Sequence, residues 1–538
     1  MIHSQDRRRS QTPSFHFPRD SEPATAMPTY SRYLSPNELS YFLPSRAYGL
    51  NDMFMQVIFR ASPKLASPLR LRIVWAIMRL RHTLLASRIE MKPGCYDEAQ
   101  FIYTPPSSPT CALEEAEANI TIYDGKTGAE LFEDLLNGPR KLSAERLSRL
   151  EIVGIDVSPT LAEYHMSVMT LHAVNDGMHR LSNNVLELIG GSAAPGGPHR
   201  TDAELARLLE LEWMTRWGQP RTDDVIVPPA EARLPLPHNK FQEAAWKIDH
   251  DNVQRRSIGG HVFPRISSPV AKQVMRRKTF TIDETVAIVA KCKSKRVTLS
   301  SAIFALANLA WIRTEEKYPQ FAAPKTLPMM MYTAVSLQQH LAPIASPLSS
   351  TDLCLALGYC NIVLPAFLPS SGPDRSATFW ARARASQSQL HKHTRNPLLL
   401  GRTQMVSVER ARRAKAFAKQ DDEANGTLQP QTTQRIPAPA SNSVPSAALI
   451  GLSHVGDLST VYRQELYPAI EFLDSVGHVR KAKGGILLFT RTIRKHFILA
   501  LGFDSAGFAP GVVEEFWENL VSGMYEFILE CSSPLSKL

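Results

Sequence analysis

The sequence has few of the features that mark a membrane protein, a secreted disulfide scaffold or a metalloprotein. Six cysteines are scattered along it without a C-x-x-C pair or zinc-ligand spacing: Cys95, Cys111, Cys292, Cys354, Cys360 and Cys531. We therefore expect free thiols in a reducing compartment, no metal site and no permanently bound cofactor. The most apolar helix-like run, at 301–312, is too short to span a bilayer and contains Asn308, so no transmembrane segment is predicted.

A strong charge imbalance is also missing. The chain has 61 basic and 51 acidic residues, a formal net charge of +10 over 538 positions. This modest excess suits a polyanionic small ligand as readily as nucleic acid, and it also suits a generally basic surface with no specific partner. We expect a small-molecule ligand and no nucleic-acid partner. The N-terminal segment has no apolar core of the kind found in signal peptides, so we expect a disordered tail over 1–29.

The C-terminal residues have the form of a peroxisomal address. The chain ends in Ser536, Lys537 and Leu538, the S-K-L signal that a peroxisomal import receptor binds. The residues before it, from 531, are typical of an exposed tail after a helix. The sequence therefore predicts peroxisomal import.

The length predicts more than one domain, because a single hydrophobic core does not grow to 538 residues. A Pro-rich polar segment at 218–240 is typical of a linker and separates 30–217 from 241–530. Both parts mix strand-like and helix-like patterns, so we predict a mixed α/β protein in two halves of similar size. A second segment poor in large apolar residues, at 419–448, is expected to be a mobile loop.

Several elements are predicted from local patterns. Ser35 and Glu38 form a capping box around Pro36 at a helix start. The run "DMFMQVIFRA" is strand-like, a buried helix should follow Thr298, and "GGILLFT" and "KHFILALGF" are typical of paired strands. The last helix places apolar residues on one face: Val513, Phe516, Trp517, Leu520, Met524 and Phe527.

The stretch "MTLHAVNDGMHRL", residues 169–181, contains the pattern H-x-x-x-D-G. An alternating strand ends at His172, and the following Asp176-Gly177 predicts a tight turn in which glycine takes a positive φ. Such a turn would present the imidazole at the edge of a cleft, where a group with a pKa near 6.5 can remove a hydroxyl proton. The alternative is a half-buried histidine that only ends a strand.

Other segments resemble a known superfamily in the same order. Residues 81–89 follow R-H-x-x-L-x-x-R-I, and "VTLSSAIFALANLAW", "LGYCN" and "LSHVGDLS" occur in the second half. Together with H-x-x-x-D-G, this order resembles condensation domains and related CoA-dependent acyltransferases. The resemblance implies two chloramphenicol-acetyltransferase-like domains in a V, with a tunnel that CoA enters from one side and the acceptor from the other.

The resemblance also implies residue roles. His172 is the general base that accepts the acceptor hydroxyl's proton, Asp176 braces the loop against an arginine, and Gly177 permits the turn. Three residues of the "LSHVGDLS" segment are implied at the tunnel or its CoA side: Ser453, Gly456 and Asp457. Acyl-CoA is the expected co-substrate.

The sequence departs from the family pattern in two places. Condensation domains have a second histidine where this chain has Leu171, which favours a free-standing acyltransferase of the BAHD type. The BAHD signature D-F-G-W-G is absent. A serine hydrolase is disfavoured because "GLSHVG" lacks the G-x-S-x-G spacing. His179 and His454 are expected to lie outside the chemistry, and 410–419 is expected to be a solvated helix face, with contact to CoA phosphates as the alternative.

In length, motif and S-K-L terminus the chain resembles the peroxisomal acyltransferases of fungal mannosylerythritol lipid synthesis. This implies transfer of a short or medium acyl chain to a mannose hydroxyl of a glycolipid headgroup, at C-2 or C-3. The alternatives are another secondary-metabolite alcohol as acceptor, or a non-catalytic condensation-like binding module. We expect a monomer.

Overall fold

The computed structural model describes residues 27–194, 196–219, 221, 225–236, 239–268, 270–344, 353–368, 375–429 and 444–531. Most of the predicted N-terminal tail, parts of the linker 218–240, the middle of the loop 419–448 and the S-K-L terminus lie outside these residues.

The first half builds its strands and helices in mixed order. Its strands are β1 (Tyr30–Tyr33), β2 (Asp52–Ala61), β3 (Arg88–Glu90), β4 (Gln100–Tyr103), β5 (Ile120–Tyr123), β6 (Ser148–Ser158) and β7 (Leu161–Leu171). Its helices are α1 (Pro36–Tyr48), α2 (Pro68–Arg81), α3 (Thr83–Ala86), α4 (Pro109–Glu117), α5 (Gly128–Asn137), α6 (Met178–Gly190) and α7 (Asp202–Trp217).

The linker contains α8 (Ala230–Arg233), and the second half follows. Its helices are α9 (Lys240–Arg256), α10 (Ile282–Ser294), α11 (Leu299–Lys317), α12 (Arg375–Thr394), α13 (Leu399–Ala424) and α14 (Val512–Gly523), which continues as a π-helix over Met524–Leu529. Its strands are β8 (Gln273–Thr279), β9 (Met329–Ser336), β10 (Leu357–Leu364), β11 (Ala448–Asp457), β12 (Ile470–Val479), β13 (Ile486–Ile493) and β14 (His496–Asp504).

The local signals are confirmed where the helices begin and the strands pair. At the start of α1, the Ser35 side chain accepts from the Glu38 backbone N–H, and the Glu38 side chain accepts from the Ser35 backbone N–H, which completes the capping box. Strands β13 and β14 pair antiparallel, as predicted. The helix α11 is buried on nearly all sides. On the last helix the predicted face is buried, with Trp517 half-buried.

The sheet topology changes the predicted boundary between the halves. Within the described ranges, one sheet has the order β12-β2-β7-β6-β5 and a second has β10-β9-β11-β13-β14-β8. Strand β12 belongs to the segment 241–530, yet it pairs antiparallel with β2 and completes the sheet of the first half. Residues 470–479 therefore belong to the sheet of the first half, where β12 covers the edge of β2.

Two predicted loops are partly helical. The linker contains α8, whose Arg233 is buried and donates to the Ala342 carbonyl oxygen at 2.9 and 3.0 Å, so this turn packs on the second half. The predicted loop at 419–448 begins inside α13, which ends only at Ala424. In α8 and in the last turn of α13, one side is exposed and the other side packs on the fold.

Candidate active site

The H-x-x-x-D-G segment forms the connection between β7 and α6. Strand β7 ends at Leu171, so His172 is the first residue beyond it. The buried Asn175 shapes the turn: its side-chain oxygen accepts from the Gly177 N–H at 2.9 Å, and its Nδ2 donates to Thr170 Oγ1 at 2.9 Å. The prediction of a positive φ at Gly177 is wrong. Its φ is −97° and its ψ is 38°, a conformation open to other residues, because Asn175 closes the turn instead.

Asp176 joins the two halves. Its carboxylate accepts from the Ala356 backbone N–H at 3.0 Å and from Gln338 Nε2 at 3.4 Å, both in the second half. The expected arginine brace is therefore replaced by these neutral donors; Arg180 acts on the carboxylate only through its charge. Burial raises the pKa of Asp176 to about 6, although both hydrogen bonds lower it.

A cavity of about 630 Å³ lies between the halves and contains His172. Its floor is one face of the second sheet, because alternate residues of a strand, such as Met330, Tyr332 and Ala334 of β9, line it. The first half contributes an apolar stretch on the opposite side: Met53, Phe54, Met55 and Met178. Flexible methionine side chains accommodate aliphatic chains of varied shape.

His172 is half-buried and carries an imidazole that is neutral at physiological pH. Burial lowers its pKa to about 4, and the charge of Arg410 acts in the same direction. The backbone carbonyls of His172 and Asn175 oppose this decrease without reversing it. Nδ1 is buried and has no well-formed hydrogen bond to any described residue. A neutral ring in a cavity is able to accept a proton from a substrate hydroxyl.

An aromatic and cationic cluster adjoins the imidazole. The Tyr41 ring lies 4.2 Å from the imidazole between ring centroids, and its hydroxyl is hydrogen-bonded to that of Tyr359. Arg410 lies over both phenol rings, 5.0 Å from the Tyr41 centroid and 4.3 Å from that of Tyr359. The interpretation of 410–419 as a solvated helix face is therefore wrong for Arg410 and Arg413, because both line the cavity.

The predicted residues near 453 divide into two groups. Ser453 lines the cavity from β11. Gly456 and Asp457 are not among the lining residues. Gly456, with φ of 87°, follows a bulge in β11, and Asp457 caps the next turn through the Ser459 N–H at 2.9 Å. Both residues shape the end of β11 and the turn after it, and neither lines the cavity.

The two histidines that were expected to lie outside the chemistry differ in position. His179 lines the cavity, and its Nδ1 is 3.1 Å from the Tyr462 hydroxyl; burial lowers its pKa to about 3. His454 is bonded to the Thr490 hydroxyl and is absent from the lining. The contact of His179 with Tyr462 and that of His454 with Thr490 give neither histidine a link to His172.

A basic patch on the cavity wall was predicted only in part, through the alternative role of 410–419 as a contact for CoA phosphates. His250 of α9, His393 of α12, and Arg402 and Arg413 of α13 line the same cavity. Arg402 pairs with Asp249 at 2.9 Å and Arg413 with Glu409 at 3.6 Å, so the cluster is partly neutralised. The only sequence signal was the density of basic residues near 410. The contact of these α13 arginines with α9 could not be predicted, because α9 lies more than 140 positions earlier in the chain.

Two further findings concern the described residues. No single helix among them is long and apolar enough to cross a membrane; α10 and α11 reach that length and composition only together, at 94° to each other. In the same part of the chain, no group of three or more His, Cys, Asp or Glu side chains is arranged to hold a metal ion.

Comparison with solved structures confirms the fold class. The chain has the two-domain α/β fold found in acyltransferases and condensation domains. The trichothecene 15-O-acetyltransferase TRI3 from Fusarium sporotrichioides aligns over 93% of this chain and 96% of its own, with 12% identity and a TM-score of 0.67. The condensation domain of the monacolin K polyketide synthase MokA aligns over 94% and 99%, with 14% identity and a TM-score of 0.51.

A third solved structure, SgcC5 from Streptomyces globisporus, aligns over 93% of this chain and 99% of its own at 11% identity, with a TM-score of 0.51. No family model matches the sequence. No curated protein matches it either. At these identities the likeness shows the fold alone and does not bear on the substrate.

Proposed function

We propose that the protein is an acyl-CoA-dependent O-acyltransferase with His172 as its general base. The observation that carries the proposal is the neutral imidazole of His172 on the wall of the inter-half cavity, with Nδ1 buried. The shared fold with an O-acetyltransferase supports the same reaction class.

In the proposed reaction, the imidazole accepts the proton of the acceptor hydroxyl while the hydroxyl oxygen attacks the thioester carbonyl carbon. The carbonyl π electrons move to its oxygen, which forms a tetrahedral oxyanion. When the oxyanion collapses, the C–S bond breaks, and the imidazolium returns the proton to the departing thiolate. The products are an ester and free CoA.

The cavity walls support an assignment of the two ends of the acyl-CoA. The methionine-rich side, with Met53, Met55 and Met178, suits a short or medium aliphatic chain. The basic patch with Arg402 and Arg413 suits the phosphates of CoA, because CoA carries several negative charges and these guanidinium groups are only partly neutralised.

For the acceptor, we propose a glycolipid headgroup of the mannosylerythritol type. The support is the resemblance in motif order together with the S-K-L terminus, since peroxisomes supply shortened acyl-CoA. Another secondary-metabolite alcohol remains the alternative acceptor. A non-catalytic binding module is disfavoured, because such a module does not need a neutral imidazole in a substrate-sized cavity.

The experiment that tests the proposal incubates the purified protein with a mixed acyl-CoA pool and mannosylerythritol, with mass detection of products. The expected result is a monoacylated headgroup and free CoA in equal amounts. Transfer to other alcohols but not to mannosylerythritol would support the alternative acceptor. If the protein binds acyl-CoA but releases no CoA in the presence of any acceptor tested, the result would support the binding module.

A further inference from the structure

Two phenol hydroxyls meet beside the imidazole. Tyr41 comes from α1 and Tyr359 from β10, and both side chains line the cavity. The hydroxyls are hydrogen-bonded to each other, and the Tyr41 ring packs against His172. Two hydroxyls carry two hydrogens, and the bond between them uses one. The second hydrogen has no acceptor among the residues that the structure describes.

The cation above the rings prepares this pair for a negative ligand. Arg410 lies over both phenol rings, and its Nε donates to Ser40 Oγ at 3.3 Å, which fixes the guanidinium in place. A fixed positive charge beside the hydroxyls lowers the cost of placing negative charge near their oxygens. The pair is therefore a preorganised donor on the cavity wall.

We propose that the hydroxyl pair of Tyr41 and Tyr359 stabilises the oxyanion of the tetrahedral intermediate. The unshared hydrogen donates to the thioester carbonyl oxygen as the π electrons move onto it, and no proton is transferred in this contact. Proton transfer stays with His172. This inference rests on the proposed acyltransferase function.

Because either hydroxyl can donate, the hydrogen bond between Tyr41 and Tyr359 predicts how kcat changes in single and double variants. In Tyr41→Phe the Tyr359 hydroxyl still carries a hydrogen, and in Tyr359→Phe the Tyr41 hydroxyl does. Each single change should therefore lower kcat less than the double change. The double variant should lose about 10²–10³-fold in kcat, the usual effect of removing an oxyanion donor, with little change in the KM for acyl-CoA.

Two further variants serve as comparisons. Tyr467 is fully buried, lies outside the cavity and has a hydroxyl without a partner among the described residues, so Tyr467→Phe should leave kcat within about twofold. Ser453 is another hydroxyl on the cavity wall. A large loss of kcat in Ser453→Ala, with none in the double tyrosine variant, would overturn the proposal.

A spectroscopic measurement keeps the proposal testable without turnover. The probe is a ketone analogue of octanoyl-CoA, in which a methylene replaces the sulfur and the carbonyl carbon is ¹³C-labelled. Infrared spectra of the bound analogue should show a carbonyl stretch lowered by the hydroxyl donor. The Tyr41→Phe, Tyr359→Phe double variant should return the stretch toward its frequency in an apolar solvent.

The outcomes separate the two proposals. If the wild-type protein does not bind the analogue, the proposed acyl-CoA function fails. If it binds the analogue and the carbonyl frequency and kcat are the same in wild type and double variant, the function stands and the oxyanion assignment is overturned. Melting temperatures of all variants identify any loss that comes from misfolding.

Discussion

The Asp176 carboxylate accepts a hydrogen bond of 3.0 Å from the backbone N–H of Ala356, 180 positions further along the chain. This bond fixes the loop that carries His172 to the start of β10, the strand that carries Tyr359. The aspartate of the H-x-x-x-D-G segment therefore joins the two walls of the cavity, through Gln338 and Ala356 and not through the expected arginine.

The first prediction concerns the pH dependence of this bond. The folded-state pKa of Asp176 is about 6, above its unfolded value near 3.8, so protonation favours the folded state. The resulting stabilisation is complete below the unfolded pKa and is lost as the pH rises through about 6.

Asp176→Asn does not titrate and should lower the melting temperature, because the amide offers one acceptor oxygen to two donors. The deficit of the variant relative to wild type should be larger at pH 5 than at pH 7.5. A deficit that does not depend on pH would contradict the assigned shift.

The second prediction is the pH profile of kcat/KM. The depressed pKa of His172, about 4, leaves the imidazole unprotonated through the neutral range. The profile should therefore rise through about 4 and be flat from about 6 to 8, where an unperturbed histidine would give a limb near 6.5. Because Asp176 titrates near 6, the same profile is measured in Asp176→Asn. A limb near 6.5 in that variant would show that burial does not shift the base.

The third prediction concerns Arg491, which lines the cavity and is 4% exposed. Its Nε and Nη2 have no partner among the described residues, and Asp474 pairs instead with Arg277 at 2.7 Å. Burial, followed by the charge of Arg277, lowers the pKa of Arg491 to about 10. Removing an uncompensated buried charge is often stabilising, so Arg491→Met should raise the melting temperature by about 1–3 °C.

The matched control is Arg140→Met. Arg140 donates to both carboxylate oxygens of the buried Asp52, at 2.7 and 3.0 Å, so its removal leaves a buried carboxylate unpaired and should lower the melting temperature. Equal decreases in the two variants would show that Arg491 has a stabilising partner.

The fourth prediction concerns Ser536, Lys537 and Leu538, which we propose as a peroxisomal import signal. Deletion of these residues should move a fluorescent N-terminal fusion from puncta to the cytosol, since the import receptor reads the free C-terminal tripeptide. The purified deletion variant should keep its turnover. Puncta that persist after deletion would refute the signal.

Local sequence patterns were sufficient for much of this architecture. The capping box at Ser35, the strand before His172 and the pairing of β13 with β14 depend on residues close in the chain, and their physical signals are short-range. The motif placed His172 at a strand end facing a cavity. The incorrect φ at Gly177 followed from assigning the turn to glycine, where the buried Asn175 closes it by side-chain hydrogen bonds.

The surroundings of His172 were beyond such patterns. Tyr41 lies more than 300 positions before Tyr359 and Arg410. Only tertiary packing brings the helices and the strand that carry these three residues together. The crossing of β12 into the first sheet was hidden for the same reason, because its sequence is that of an ordinary strand and its partner β2 lies over 400 positions away.

The most direct test of the account compares wild type with His172→Ala at saturating acyl-CoA and acceptor. A general base contributes about 10²–10⁴-fold to the rate, so kcat should fall by that factor. The dissociation constant for acyl-CoA, measured by calorimetry, should change by less than about threefold, because the imidazole contacts the reacting centre and not the nucleotide. A variant that keeps wild-type turnover would contradict the account and would show that His172 merely ends a strand.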